Sequence, residues 1–472
     1  MEKKLVKLII GGLAAVVVLV AALIVVNSIS VNRDSGVKVF VDKAPEEITE
    51  LYVANTTGGY KIYAEDDGYV FDDMPANIVD QEGFFELMNH SCAFGSLRTV
   101  EEDAADLSIY GLDNPTAMVK VIFNDGKEFN LSLGDKERVS GNYYGMVEDD
   151  KNVYLFAEED VLYFYLRKQD YISTVVTPEL MVSSPLSAVR DVTFSGTALE
   201  KPITIEAVTA DKPDVALAAK SFGPATHIVK IKGTYELDQS YGIEMLGSLL
   251  GIHATDVVAY NVSDDDYSLL GFDNPYMQVD FSLKNGTDYI ADYQLKLVPY
   301  GNQFMASMLG SGIIFLIDPP SFVSIDYTKL CMRWFLAPMR SDLESLTVEF
   351  DGQSFVYTSG SVDKEIWTKV NGQEMDPELF FSFYRLVTSA AADGKYLEDT
   401  VNEGEPLMTI TYKYADGTKQ PDVMKLYPGS VRRVNVEVNG ITEFDMKESF
   451  VETMKNACYN SVAGLPIEEN WQ

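Results

Sequence analysis

The chain has 472 residues, of which 46% are hydrophobic, 11% aromatic and 23% charged. That is the composition of folded globular protein, long enough for about three domains of roughly 150 residues, and it excludes a disordered, collagen-like or coiled-coil chain. Asp and Glu outnumber Lys and Arg by 72 to 37, a net charge of −35, so phosphate backbones would be repelled and general nucleic-acid binding is excluded.

The first element in chain order is an uncharged run of 19 residues, Leu8 to Val26, reading LIIGGLAAVVVLVAALIVV. As a helix it would span about 28 Å, the thickness of a bilayer's hydrocarbon core. Lys3, Lys4 and Lys7 precede it, so the positive-inside rule predicts a transmembrane signal anchor over 1–29 with the N-terminus in the cytoplasm. Everything after about Asn27 is then expected outside, beginning with a stalk over 30–46. The rival reading is a cleaved signal peptide, for which Ser28-Ile29-Ser30 is a passable site. The scattered Cys92, Cys331 and Cys458 supply neither a disulfide framework nor a thiolate metal site, and none follows the apolar run to take a lipid.

The rest of the chain repeats itself. Residues 110–126 read YGLDNPTAMVKVIFNDG and residues 270–286 read LGFDNPYMQVDFSLKNG. They align at a constant offset of 160: Gly111 with Gly271, Asp113-Asn114-Pro115 with Asp273-Asn274-Pro275, and Gly126 with Gly286. A weaker third copy, EPLMTITYKYADG, runs from Glu405 to Gly417. In each, proline precedes a turn glycine by 11 residues, the third pair being Pro406 and Gly417. A fixed offset of this kind marks a repeated structural unit.

The flanks agree. Alternating apolar runs (48–53, 189–194 and 343–350) predict half-buried strands, and amphipathic stretches at 82–94, 241–252 and 376–387 predict helices. Asp376, Pro377 and Glu378 give the third helix the clearest start signal. After each proline a hairpin is expected, with Asp-Gly or Asn-Gly in a type I′ turn. A second strand pair follows in each copy, and helices are expected at 161–172 and 449–459. The expected fold is α+β: a transmembrane helix, then three tandem repeats of a mostly antiparallel β unit with packed helices, over 47–182, 183–340 and 341–472. Short joints at Ser183-Ser184-Pro185 and Ala337-Pro338-Met339 predict end-to-end packing.

Catalytic chemistry has little to stand on. The Asp-Asn-Pro signature reads as a structural turn, although Asp113 and Asp273 could be ligand contacts. His90, His227 and His253 do not align between copies and show no zinc spacing. No Gly-x-Ser-x-Gly occurs, and Ser361-Val362-Asp363-Lys364 lies in a polar turn without its companion motifs. Gly126-Lys127 and Gly394-Lys395 lack the rest of a phosphate loop. The acidic clusters Glu65-Asp66-Asp67, Asp72-Asp73, Glu148-Asp149-Asp150 and Asp264-Asp265-Asp266 lack the spacing of a calcium loop and read as solvated loops, with weak divalent binding as the alternative. Tyr143, Tyr144, Tyr163, Phe164 and Tyr165 could line a glycan or peptide groove, or fill a core. No catalytic, cofactor-binding or metal residue is assigned.

YGLDNP, the following hairpin, LGDK at 133–136, YYGMV and VYLF together resemble the domain-of-unknown-function 4340 (DUF4340) family, best over 105–180. The second copy is similar to a divergent instance; the third departs further by losing Asp-Asn. The resemblance implies a bacterial, single-pass or exported protein linked with ABC-type export systems, and hence permease or ATPase subunits as partners. It implies no site residue. The function expected is a non-enzymatic accessory or interaction module of a membrane transport complex. A cell-envelope glycan- or peptide-binding protein is the alternative, and an envelope hydrolase a third, weaker reading.

Overall fold

In a computed structural model the described residues are 36–471, except 66–67, 149–150, 213–214, 216–224, 287, 332–333, 394–396 and 398–399. The expected anchor over 1–29, the acidic residues Asp66, Asp67, Asp149 and Asp150, and Gly394-Lys395 therefore lie outside them. Among the described residues no helix is long and apolar enough to cross a membrane. Two compact units result, one ending at Ser173 and one beginning at Thr174.

The first unit holds an eight-stranded sheet and a two-stranded ribbon; the second holds a nine-stranded and an eight-stranded sheet. All named strands pair antiparallel, and a few short helices accompany them, so the class is α+β. Each large sheet is centred on one long-range pair: Ile48–Asn55 with Ala117–Phe123, Val189–Ser195 with Met277–Asn285, and Leu343–Phe350 with Met408–Tyr414. The strands that follow the first member fan out on one side, and those that follow the second member fan out on the other. The first two sheets add an edge strand, Arg98–Glu101 and Asp256–Tyr260 respectively; the third ends at Ile441–Lys447.

Between the members of each central pair the chain makes a helix of nine or more residues: Gln81–His90, Gln239–Gly247 and Pro377–Thr388. All three start on an aspartate. Asp80 accepts from the N–H groups of Glu82 and Gly83, Asp238 from Tyr241 and Asp376 from Glu378. Each cap satisfies donors that the first helical turn leaves open. The buried helical faces, such as Phe84, Leu87 and Met88 in the first, lie on the apolar side of the sheets, where Leu51, Val53, Val119, Val121, Leu131 and Leu133 are all buried.

Four expectations are corrected. The helix expected over 82–94 ends at His90, because Ala93–Ser96 is a strand paired with Lys38–Asp42. Lys38–Asp42 lies within the range 30–46 read as a stalk, so part of that range is a strand. The segment 161–172 is not one helix but three short turns, ending at Val161, Tyr165 and Tyr171. Its break has a cause: the Asn55 amide donates to the carbonyls of Phe164 (3.0 Å) and Leu166 (2.9 Å), acceptors a continuing helix would use itself. Finally, the first and third hairpin turns after the signature are not type I′, which needs positive φ at both central residues. Gly126 has positive φ but Asp125 does not, and the third turn has none; the second turn includes residue 287, outside the described residues. Paired positive φ values occur elsewhere, at Asp351-Gly352, Asn371-Gly372 and Asn439-Gly440.

Candidate interaction faces beside the signature turns

The signature is a helix stop. Leu107–Tyr110 is a short helical stretch ended by Gly111 at φ 69°, with Gly111 N–H on the Ser108 carbonyl (3.2 Å) and Leu112 N–H on the Leu107 carbonyl (3.0 Å). In the second sheet Gly271 and Phe272 make the same two bonds, to Ser268 (3.1 Å) and Tyr267 (3.0 Å). This is the Schellman pattern, which needs a left-handed residue where glycine is least strained. Its apolar residue goes down onto the sheet: Leu112 joins Ala104 and Val153, and Phe272 joins Met305 and Ile314. Asp113, Asn114, Asp273 and Asn274 stay exposed, and Pro115 and Pro275 turn the chain into the central strand. One residue later Thr116, Tyr276 and, after Pro406, Leu407 each donate N–H to a neighbouring strand, at Leu133 (2.8 Å), Leu297 (3.0 Å) and Leu426 (2.8 Å).

The signature glycines differ in what they tolerate. A Cβ on Gly111 would stand 2.7 Å from Asp135 Oδ1 and 2.9 Å from its backbone nitrogen, whereas one on Gly126 would meet nothing within 4 Å. Both carry positive φ. Gly111→Ala is therefore expected to cost about 2 kcal/mol and Gly126→Ala about 1 kcal/mol in equilibrium unfolding. Equal losses would mean that the signature turn is not packed against Asp135.

On the first two sheets the stop covers part of the outer face and leaves the rest open. On the first sheet, Lys61, Tyr52, Lys120 and Asn130 are register partners across four strands and share that face. With Ala54, Gly59, Met118 and Ser132 they line an open cleft of about 520 Å³. Lys61 lies 5.0 Å from the Tyr52 ring centroid and pairs with Glu50 at 3.0 Å; Lys120 pairs with Glu128 at 2.7 Å. Hydrogen bonds from Tyr52 and then Lys61 hold the Glu50 carboxyl below its ordinary range. The same row of the second sheet is Thr204, Thr193, Asp280 and Gln294. Two adjoining clefts of about 440 and 500 Å³ lie there, sharing Gln294, Met308 and Leu309. Asp191, Asp280 and Asp292 line one; Asp264, Tyr267, Asp273 and Lys296 line the other. On the third sheet the row is Val356, Thr347, Thr411 and Val423, with no charge. Of these residues only Asp264 and Asp273 drew attention in the sequence. The alternation after each proline, Met118-x-Lys120 and Gln278-x-Asp280, was the available signal.

The other candidates are dispersed. His90 stacks on Tyr163 at 4.8 Å, with Glu86 and Asp160 each 3.9 Å away. His253 meets Glu179 at 2.6 Å on the surface, and His227 is buried on the Val189 carbonyl at 3.0 Å. Tyr143 stacks on Tyr165 (4.7 Å), Tyr144 meets Tyr110 edge-on (5.0 Å) and Phe164 is fully buried. Burial pushes the Tyr165 phenol up, with its oxygen 3.1 Å from Thr116 Oγ1. These aromatics pack against one another rather than line a groove. Ser361-Val362-Asp363-Lys364 forms the exposed tip of the Gln353–Val362/Glu365–Val370 hairpin, where Asp363 and Lys364 both have positive φ. Among the described residues no group of three or more His, Cys, Asp or Glu could hold a metal ion.

One buried carboxylate ties the second unit together. Glu443, on the last strand of the third sheet, is fully buried and accepts from the N–H groups of Lys232 (2.7 Å) and Gly233 (2.9 Å) of the second sheet. Tyr235 meets Phe444 edge-on beside it, 5.5 Å between centroids. Glu443→Ala strands two backbone donors and is expected to cost about 2–3 kcal/mol, read as a lower unfolding midpoint. A loss under about 0.5 kcal/mol would mean that water replaces the carboxylate at no cost.

The chain is thus an α+β protein of antiparallel sheets, each carrying a helix between its two central strands, with signature stops on the first two. Residues 86–221 match the family model of the domain of unknown function DUF4340, which bears out the resemblance read on the first copy. The match runs from within the first helix through Val189–Ser195 and Ile203–Ala207, the first strands of the second sheet. No curated protein and no solved structure matched the chain.

Proposed function

We propose that the chain is a bacterial, membrane-anchored extracytoplasmic protein that serves as a non-enzymatic accessory or interaction module of an ABC-type membrane transport complex. The DUF4340 match over residues 86–221 carries this reading, together with the apolar run Leu8–Val26 behind three lysines. On this reading the N-terminus is cytoplasmic, and the three sheets are tandem copies of one unit, the third divergent. The common strand order and the shared bond after each proline support the copies. The outer faces support contact rather than chemistry. At matching positions they hold a lysine–tyrosine row, a carboxylate–amide row and a threonine–valine row. A repeated active site would keep its polar groups, whereas docking faces for different partners have reason to vary them.

The test is crosslinking in intact cells, detergent solubilisation and mass spectrometry of what travels with an affinity-tagged chain. Permease or ATPase subunits are the expected companions. Their absence, with wall fragments recovered instead, would favour the second reading, an envelope glycan- or peptide-binding protein. The Tyr52 cleft supports that alternative, and retention on purified cell wall that Tyr52→Ala abolishes would identify it.

A further inference from the structure

The ribbon of Lys38–Asp42 and Ala93–Ser96 has two unlike faces. Its inner face is satisfied: Lys38 donates to the Tyr154 hydroxyl (2.8 Å), Phe40 meets Tyr154 edge-on at 4.9 Å, and Phe94 lies 4.4 Å from Phe129. Its outer face is not. Val39 is paired across the ribbon with Gly95, and at the same end, one residue past each strand, stand Val37 and Leu97. Val37 is 56%, Val39 65% and Leu97 41% exposed, and these four positions hold no charge in a chain of net −35. Charge returns at the far end, where Asp42 pairs with Ala93.

The position of this face in the chain says what it meets. Ten residues, 27–36, separate the end of the apolar run from Val37, so even a fully extended connection reaches only about 35–40 Å. In chain order the apolar end of the ribbon comes first, next to residues 27–36, and Asp42 stands at the opposite end. We propose that the Val37, Val39, Gly95 and Leu97 face of the first unit rests on the outer membrane–water interface, orienting that unit on the lipid surface. This rests on the anchor reading above. A carboxylate-free apolar face can enter the headgroup region, whereas the acidic remainder of the surface is held off by anionic lipid.

The test uses the full chain in vesicles of phosphatidylethanolamine and phosphatidylglycerol. Val39→Cys and Leu97→Cys are labelled with an environment-sensitive fluorophore, and Val431→Cys, at a position 90% exposed in the second unit, is the control. The native Cys92, Cys331 and Cys458 are buried, and burial pushes the Cys458 thiol up to about 12, so the new thiols label selectively. The expected result is blue-shifted emission at 39 and 97, several-fold less quenching by aqueous iodide than at 431, and loss of both effects in detergent micelles. Quenching at 39 equal to that at 431, with the chain still in the carbonate-washed pellet, overturns the proposal and leaves the anchor standing. Protection that persists in detergent assigns the face to a protein partner or a second copy and overturns it too. Release of the chain into the carbonate wash refutes both the anchor and this inference.

Discussion

Trp471→Ala is expected to release residues 465–471 from the second unit and to lower its stability by about 3–5 kcal/mol. Trp471 is 4% exposed at the end of a segment that is otherwise largely exposed. Its indole N–H donates to Ser389 Oγ (2.9 Å), Ser449 Oγ donates to its carbonyl (2.6 Å), and its ring meets Phe450 edge-on at 5.4 Å. It therefore spans the ends of helices Pro377–Thr388 and Ser449–Ala463. Beyond the bonds of Leu465 and Pro466 to Asn460, 2.9 Å each, the segment is held by Arg385 with Glu469, two bonds of 2.8 and 2.6 Å between exposed side chains. An exposed pair of this kind is worth under about 1 kcal/mol, so it cannot hold seven ordered residues once the indole is gone. Glu469→Gln should accordingly change the unfolding midpoint little, while Trp471→Ala drops it by roughly 5–10 °C and removes hydrogen-exchange protection over 465–471. Equal effects of the two substitutions would show that the ion pair, not the indole, holds the segment.

The second large effect is acid lability centred on His227. The ring is 1% exposed, and its Nε2 donates to the Val189 carbonyl at the start of the central strand. Nδ1 has no hydrogen-bond partner. Burial, against the opposing hydrogen bond to Val189 and with the nearby Lys284 and Lys212 outweighing the pull of Asp191, lowers its pKa to about 4 from the usual 6.5. The folded value lies below the unfolded one, so the unfolded chain binds the proton first. The stability contribution is complete above about pH 6.5 and is lost as pH falls toward 4, amounting to about 3 kcal/mol. His227→Gln, which cannot titrate, should flatten the midpoint between pH 7 and 4.5 relative to the parent, and the surface substitution His253→Gln should not. Parallel pH profiles for the parent and His227→Gln would sink the assignment.

Much of the fold was legible because it is written at short range. Alternation placed Ile48–Asn55, Val189–Ser195 and Leu343–Phe350, and Asp376 with Pro377 marked a helix start. The aspartate caps of the first two helices were equally local but lack a following proline, and they passed unread. The candidate faces were harder to see. Lys61, Tyr52, Lys120 and Asn130 form a row only after four strands pair, and register is a property of the sheet rather than of any one strand.

What the sequence determined by itself was therefore the repeated signature, its structural turn, and the strand periodicity around it. Each depends on groups within a few residues, where φ preference and side-chain alternation act directly. The tertiary structure decided where the chain departs from that local logic. Asn55 breaks the expected helix from 109 residues away, Glu443 reaches Lys232 across 211, and Trp471 finds Ser389 across 82. A buried polar group takes whatever partner the fold brings to it, and nothing in the neighbouring residues records that partner.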